Sequence, residues 1–168
     1  AKNANSVIMK SGTGDTSDDP AGRVQGGYLY HLDQGVWKKI DYQTYGTTVG
    51  GGGQPLAQLL LGIALGAFGE YAGPPEQVGM LLKGVTTSVV TGNGYSGAPL
   101  WCDADPTKTN GVLRALTPPN STNNVVRFAG FALDRRQIGA TSYYETIILF
   151  DPSPNIAVVG TSAGTKLY

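Results

Sequence analysis

The chain has 168 residues, 12 of them basic and 12 acidic, giving a formal net charge of zero. Charged residues make up only 14%, against roughly 25% in an ordinary globular chain, and no basic block is longer than Lys38-Lys39 or Arg135-Arg136. This excludes nucleic acid as an expected partner, because phosphate binding needs a clustered positive surface. No membrane partner is expected either: the longest apolar run, Leu59 to Leu65, is far short of the roughly 20 residues a spanning helix needs.

Residues 1–25 are polar, lack the apolar core of a signal peptide and show no apolar periodicity, which predicts an extended N-terminal arm. Val7, Ile8 and Met9 form the one apolar cluster before residue 24. Asp15, Asp18 and Asp19 lack the spacing of a calcium loop and read as a solvated acidic loop.

From residue 26 onward, Gly and Pro punctuate short runs rich in Val, Ile, Thr and Tyr, the composition of strands rather than helices. Tyr28 to Asp33 alternates as a strand, Gln34-Gly35 turns, and Val36 to Ile40 returns. After the glycine run at 50–53, Leu59 to Leu65 and Val78 to Leu82 follow as strands, separated by the break at Gly73-Pro74-Pro75. The segment from Leu56 to Phe68 has a helical alternative, weakened by Gly62 and Gly66.

The second half repeats this plan. "GVWKKI" (35–40) corresponds to "GVLRAL" (111–116), "LGIALG" (61–66) to "AGFALD" (129–134), and "GMLLKG" (79–84) to "TIILFD" (146–151). Upstream, "GGYLYHLD" (26–33) takes the place of "GAPLWCDA" (97–104). The matches fall in the same order, the signature of an internal duplication. Expected strands are Leu100 to Asp103, Val112 to Leu116, Val125 to Leu133, Thr146 to Phe150 and Ile156 to Val159. The expected fold is therefore all-β: two similar small antiparallel β units, sandwich or barrel-like, at 26–90 and 91–168, with the arm at 1–25. The single Cys102 permits no internal disulfide and reads as a small strand residue.

One stretch, "TGNGYSGAPLW" (91–101), invites chemical readings. Gly92, Gly94 and Gly97 spell the glycine pattern of a dinucleotide-binding turn, but Pro99 follows where that motif needs a helix start. Thr91, Gly94, Ser96 and Gly97 spell the nucleophile loop of chymotrypsin-like serine proteases. His31 is the only histidine, and Asp41, Glu70 or Glu76 would have to serve as the acid. His31 sits mid-strand, and too few residues lie between Glu70 and Ser96 for the strands of a protease barrel. A turn serine is the expected role, with no catalytic residue, cofactor or metal.

The second half also carries a longer pattern. It runs from Gly97, Pro99 and Leu100, through Asn110, Gly111, Leu113, Leu116, Thr117 and Pro118, to Val125, Val126, Arg127, Gly130, Ala132, Leu133 and Asp134, and closes on "FDPSPN" (150–155). With the fainter version in the first half, this resembles structural proteins of tailed bacteriophages, particularly head decoration (cement) proteins and related head-fibre or tail-fibre modules. The segment "RRQIGATSYYE" (135–145) is longer than that pattern usually allows. The resemblance implies a non-enzymatic virion protein, made in the host cytoplasm, that binds the major capsid protein at the capsid surface and assembles as a homotrimer. Val7, Ile8 and Met9 are then the candidate capsid-contact residues. A fibre or receptor-binding module is the alternative, with Tyr42, Tyr45, Tyr143 and Tyr144 as candidate sugar-stacking residues.

Overall fold

The computed structural model describes residues 5–9, 14–40, 58–92, 95–103, 110–121, 124–137, 143–159 and 165–167. Asp41, Tyr42, Tyr45, the glycine run at 50–53 and the loop at 104–109 lie outside these residues. The fold is all-β. In chain order the strands are β1 (Ser6–Ile8), β2 (Val24–Gln25), β3 (Leu29–Asp33), β4 (Val36–Lys39), β5 (Leu61–Leu65), β6 (Tyr71–Ala72), β7 (Gly79–Leu81) and β8 (Gly84–Thr91). They continue with β9 (Pro99–Cys102), β10 (Leu113–Ala115), β11 (Val125–Val126), β12 (Phe128–Gln137), β13 (Tyr143–Phe150), β14 (Ala157–Val159) and β15 (Thr165–Leu167). Leu61–Leu65 is a strand rather than a helix turn, as its glycines favour.

The first unit is a five-stranded sheet in the order β1-β7-β5-β3-β4, and the second is a closed barrel, β10-β8-β13-β12-β9. These are one topology used twice. Strands β3, β4, β5 and β7 pair antiparallel as β3–β4, β3–β5 and β5–β7, and β9, β10, β12 and β13 pair in the same sense as β9–β10, β9–β12 and β12–β13. The backbone repeats in detail. Gly27 N–H donates to Ala64 O and Gly97 N–H to Ala132 O; Ala64 N–H donates to Tyr28 O and Ala132 N–H to Ala98 O. Likewise Ile40 N–H donates to Leu29 O, and Leu116 N–H to Pro99 O.

This equivalence moves two boundaries. β8 pairs antiparallel with β13 and parallel with β10, so residues 84–91 close the second barrel, and a unit boundary at residue 90 would cut through that strand. β1 pairs antiparallel with β7 and thus holds the place of β8 in the first unit. Within the N-terminal arm, Ser6–Ile8 lies along the protein's own sheet, as the opening strand of the duplication. Among the described residues, the first unit's seam is bridged by the parallel pair Gly14–Trp37, where the second has the Leu113–Val90 pairing.

Two cores follow from the alternation of the strands. Tyr30, Trp37, Ala64, Met80 and Met9 fill the inside of the first unit. A larger core joins the second barrel's interior (Val90, Leu100, Cys102, Leu113, Ile148, Phe150) to Leu29, Ile63 and Leu81 from the first unit's outer face. Gly27 O accepts from Val89 N–H and Ser88 Oγ–H, while Leu29 N–H donates to Gly111 O, so the first unit is hydrogen-bonded to the second as well as packed on it.

The acidic loop is likewise built in. Asp15 Oδ1 accepts the Ser17 N–H at 2.9 Å, and Asp18 pairs with Lys39 Nζ at 3.3 Å. Asp19 takes two bonds from the Arg23 guanidinium, both 3.0 Å, and the Arg23 backbone N–H. The Arg23 side-chain hydrogen bonds are the main reason the Asp19 carboxyl is held down at about 2 from an ordinary 3.8. A carboxyl whose folded value lies below its unfolded one adds stability above the unfolded value, and loses it as pH falls toward the folded value. The stability difference between the wild type and Asp19→Asn should therefore be constant above about pH 5 and shrink as pH falls from about 4 toward 2. Urea titrations of both proteins across that range check this.

Candidate functional site

The nucleophile-like stretch resolves into structural parts. Thr91 Oγ1 donates to Asp103 Oδ2 at 2.9 Å, with Leu113 O at 3.2 Å, and both Thr91 and Asp103 are buried. This clamp ties the end of β8 to the exit of β9, which is why a threonine stands there. Gly92 and Gly97 have φ of 89° and 88°, in the left-handed region that a side chain disfavours. Ala98 N–H bonds Tyr95 O to close the turn holding Ser96, and β9 begins at Pro99. A strand thus follows the glycines where a dinucleotide site needs a helix.

Ser96 is exposed in that turn, whereas His31 is 2% exposed in the middle of β3, opposite Leu61 and Lys38 in its ladders. Glu70 and Glu76 stand exposed beside β6 and beyond it. Ser96→Ala should leave the folded protein's melting temperature within about 2 °C, since exposed positions away from caps and cores tolerate substitution within about 0.5 kcal/mol. A fluorophosphonate probe should leave Ser96 unlabelled; labelling abolished by Ser96→Ala would establish a nucleophile instead.

Among the described residues, Lys39 fills a spot that looks like a cation site. Its Nζ donates to Gln25 Oε1 at 2.6 Å and Tyr71 Oη at 2.9 Å, pairs with Asp18, and lies 4.6 Å and 5.1 Å from the ring centres of Tyr28 and Tyr71. The aromatic cage is occupied by the protein's own lysine, which locks β4 to the small β2–β6 ribbon. Cys102 is buried in the larger core.

No protein-family profile matches the chain, and no curated protein or solved structure matches it. The surface must speak for itself. Two apolar features stand out. The first is the edge strand β1. Val7 and Ile8 are exposed at 40% and 59%, and Ile8 and Met9 border an open cleft with Pro74, Pro75, Glu76 and Gln77. Met9 itself is 4% exposed and anchored in the inner core, so of the three only Val7 and Ile8 are open to solvent.

The second feature, absent from the sequence-based expectations, is the outer face of the second barrel. Phe131 and Leu149 face each other across β12 and β13, and Leu149 faces Val85 across β13 and β8. Phe131 and Val85 are exposed, as are Leu133 and Ile147 beside them. Edge-to-face contacts of Phe128 with Phe131, at 5.1 Å, and with Trp101, at 5.6 Å, stiffen one side of this face. Exposed apolar side chains grouped on one sheet face make this a candidate contact surface.

Proposed function

We propose that the protein is a structural component of a phage particle that binds the outer surface of the capsid and stabilises it, with the major capsid protein as its partner. What supports this reading most is that the residues carrying the resemblance to phage structural proteins belong to the scaffold. Gly97, Leu100, Gly111, Leu113, Gly130 and Ala132 set turns, ladder positions and core contacts, and Arg127 ties strand segments together. Among the described residues, the sheet and the barrel of this duplicated fold present exposed apolar side chains on their outer strands. Val7 and Ile8 on the edge of the first unit are the proposed capsid contacts, because an open strand edge can be extended by a partner's strand. The homotrimer expected from the resemblance belongs to the same proposal.

The decisive measurement is copy number in purified virions, by quantitative mass spectrometry against the major capsid protein. A ratio near one, or a fixed simple fraction of it, is the expected result. A handful of copies would favour a fibre or receptor-binding module instead, for which exposed Tyr95 would be a contact residue. Absence from virions would overturn both.

A further inference from the structure

The duplicated units match strand for strand, yet one row of side chains is treated differently in each. In the first unit Leu29, Ile63 and Leu81 stand side by side across β3, β5 and β7. They are 0%, 0% and 3% exposed, because this outward row is the one the first unit buries against the second. The equivalent row in the second unit is Pro99, Phe131 and Leu149, continued onto β8 by Val85. There Phe131 is 41% and Val85 61% exposed. The face that docks one unit onto the other is therefore present twice and, among the described residues, covered once.

We infer that the Phe131–Leu149–Val85 face is a self-association surface, covered head to tail by the first unit of a second copy of this chain. The occupant follows from the interface already within the molecule. Among the described residues this row has one partner, the second unit, and a second copy brings a unit of the same strand order in its first, five-stranded sheet. The receiving region of the second unit is the seam between β8 and β10, where Val89 N–H meets Gly27 O and Gly111 O meets Leu29 N–H. The corresponding region of the first unit lies between β1 and β4, with Val7 and Ile8 exposed beside it.

The second docking differs from the first in one respect. Where Leu29 donates its N–H to Gly111 O, the equivalent residue is Pro99, which has no N–H to give. The contact between copies thus lacks that backbone bond and leans more on its side chains. A surface on one unit meeting a different surface on the next is a heterologous contact, which closes into a ring when the rotation allows.

The inference deepens the oligomer proposed above and places Ile8 at the junction between copies, leaving Val7, its neighbour on the opposite face of β1, to the capsid; its test needs neither a capsid nor a virion, so either can fail alone. Native mass spectrometry and light scattering on the purified full chain should show assemblies larger than one chain. Phe131→Glu and Ile8→Glu should each weaken assembly by at least about thirtyfold, the effect of a charge placed at an interface anchor. An equal mixture of the two should form a one-to-one dimer, because each chain keeps the face that the other has lost. Circular dichroism establishes that each variant folds; should Phe131→Glu not fold, Val85→Glu blocks the same row from a more exposed position. A wild type that stays a single chain at every concentration, a blocked variant that assembles like the wild type, or a mixture that remains monomeric would overturn the inference.

Discussion

Gly130→Ala should lower the stability of the protein by roughly 4 kcal/mol, at the upper end of single-residue effects, and its Tm by roughly 8–16 °C for a chain of this size. Gly130 has φ of 137°, in the region that L side chains rarely adopt. A β-carbon there would run into the Leu149 carbonyl oxygen, with the Leu149 carbonyl carbon at 3.0 Å and the Asp151 nitrogen at 3.1 Å. All three are backbone atoms held by the β12–β13 ladder, so no side chain can swing aside. The register irregularity between Phe128 and Gly130 shows what the glycine provides: a bulge that lets β12 bend from β9 onto β13. The equivalent glycine in the first unit is the natural control. Gly62 has no such φ, and a β-carbon would meet the Trp37 ring at 3.1 Å and the Met80 β-carbon at 3.4 Å. Gly62→Ala should therefore cost only about 1–3 kcal/mol, the range of ordinary overpacking. Thermal melts of both variants, side by side, check the contrast; equal losses would mean that crowding rather than backbone geometry sets the cost.

The duplication was legible because it rests on small residues in fixed backbone roles. "LGIALG" and "AGFALD" place Gly62 with Gly130 and Ala64 with Ala132, and both alanines exchange the same backbone hydrogen bonds with the turn after a glycine. Register was harder. By letters, "GGYLYHLD" aligns with residues 97–104, but the ladders pair Tyr30 with Gly62 and Leu100 with Gly130, so residues 96–103 are the true counterpart. That alignment sets Gly27 against Gly97 and Asp33 against Asp103. The correspondence of "GMLLKG" with "TIILFD" slides by one residue in the same way, since Ala64 faces Met80 and Ala132 faces Ile148. Backbone hydrogen bonds fix register, whereas apolar letters tolerate a slip.

β8 escaped prediction for a different reason. Its inward positions include Ser88, which donates to Gly27 O, so the strand lacks the apolar alternation that marks a half-buried one. The uncovered face of the second barrel was also hidden. Phe131, Ile147 and Leu149 lie in strands with apolar residues on both faces, and such strands do not announce which face is covered. Conversely, the chemical motif in "TGNGYSGAPLW" was legible as a turn because Pro99 and the strand-forming Leu100-Trp101-Cys102 follow the glycines, a poor start for the helix that one reading needs. Its threonine proved to be a clamp on Asp103.

Arg127→Met should cost about 2–3 kcal/mol, the consequence of leaving carbonyl groups without their charged donor. Arg127 sits between β11 and β12 and is 4% exposed. Its Nε donates to Ser153 O and its Nη1 to Leu59 O, each at 2.7 Å, while its own carbonyl accepts from Cys102 N–H. One residue thereby joins β9, the segment after β13 and the segment leading into β5, the last of these from the other unit. Methionine keeps the apolar stem and the length but gives up both donors. Lysine keeps the charge, yet a single ammonium on a flexible stem does not reproduce a planar fork spanning two carbonyls. Arg127→Lys should therefore fall between wild type and methionine, at about 1–2 kcal/mol by the same reasoning. Chemical denaturation reads the two losses. Proteolysis separates a local effect from a global one: if Arg127 pins the 59–61 segment, the methionine variant should be cut near Leu60, which is exposed, faster than its global stability accounts for. A lysine variant as stable as the wild type would show that charge alone, and not the two-carbonyl bridge, is what the position requires.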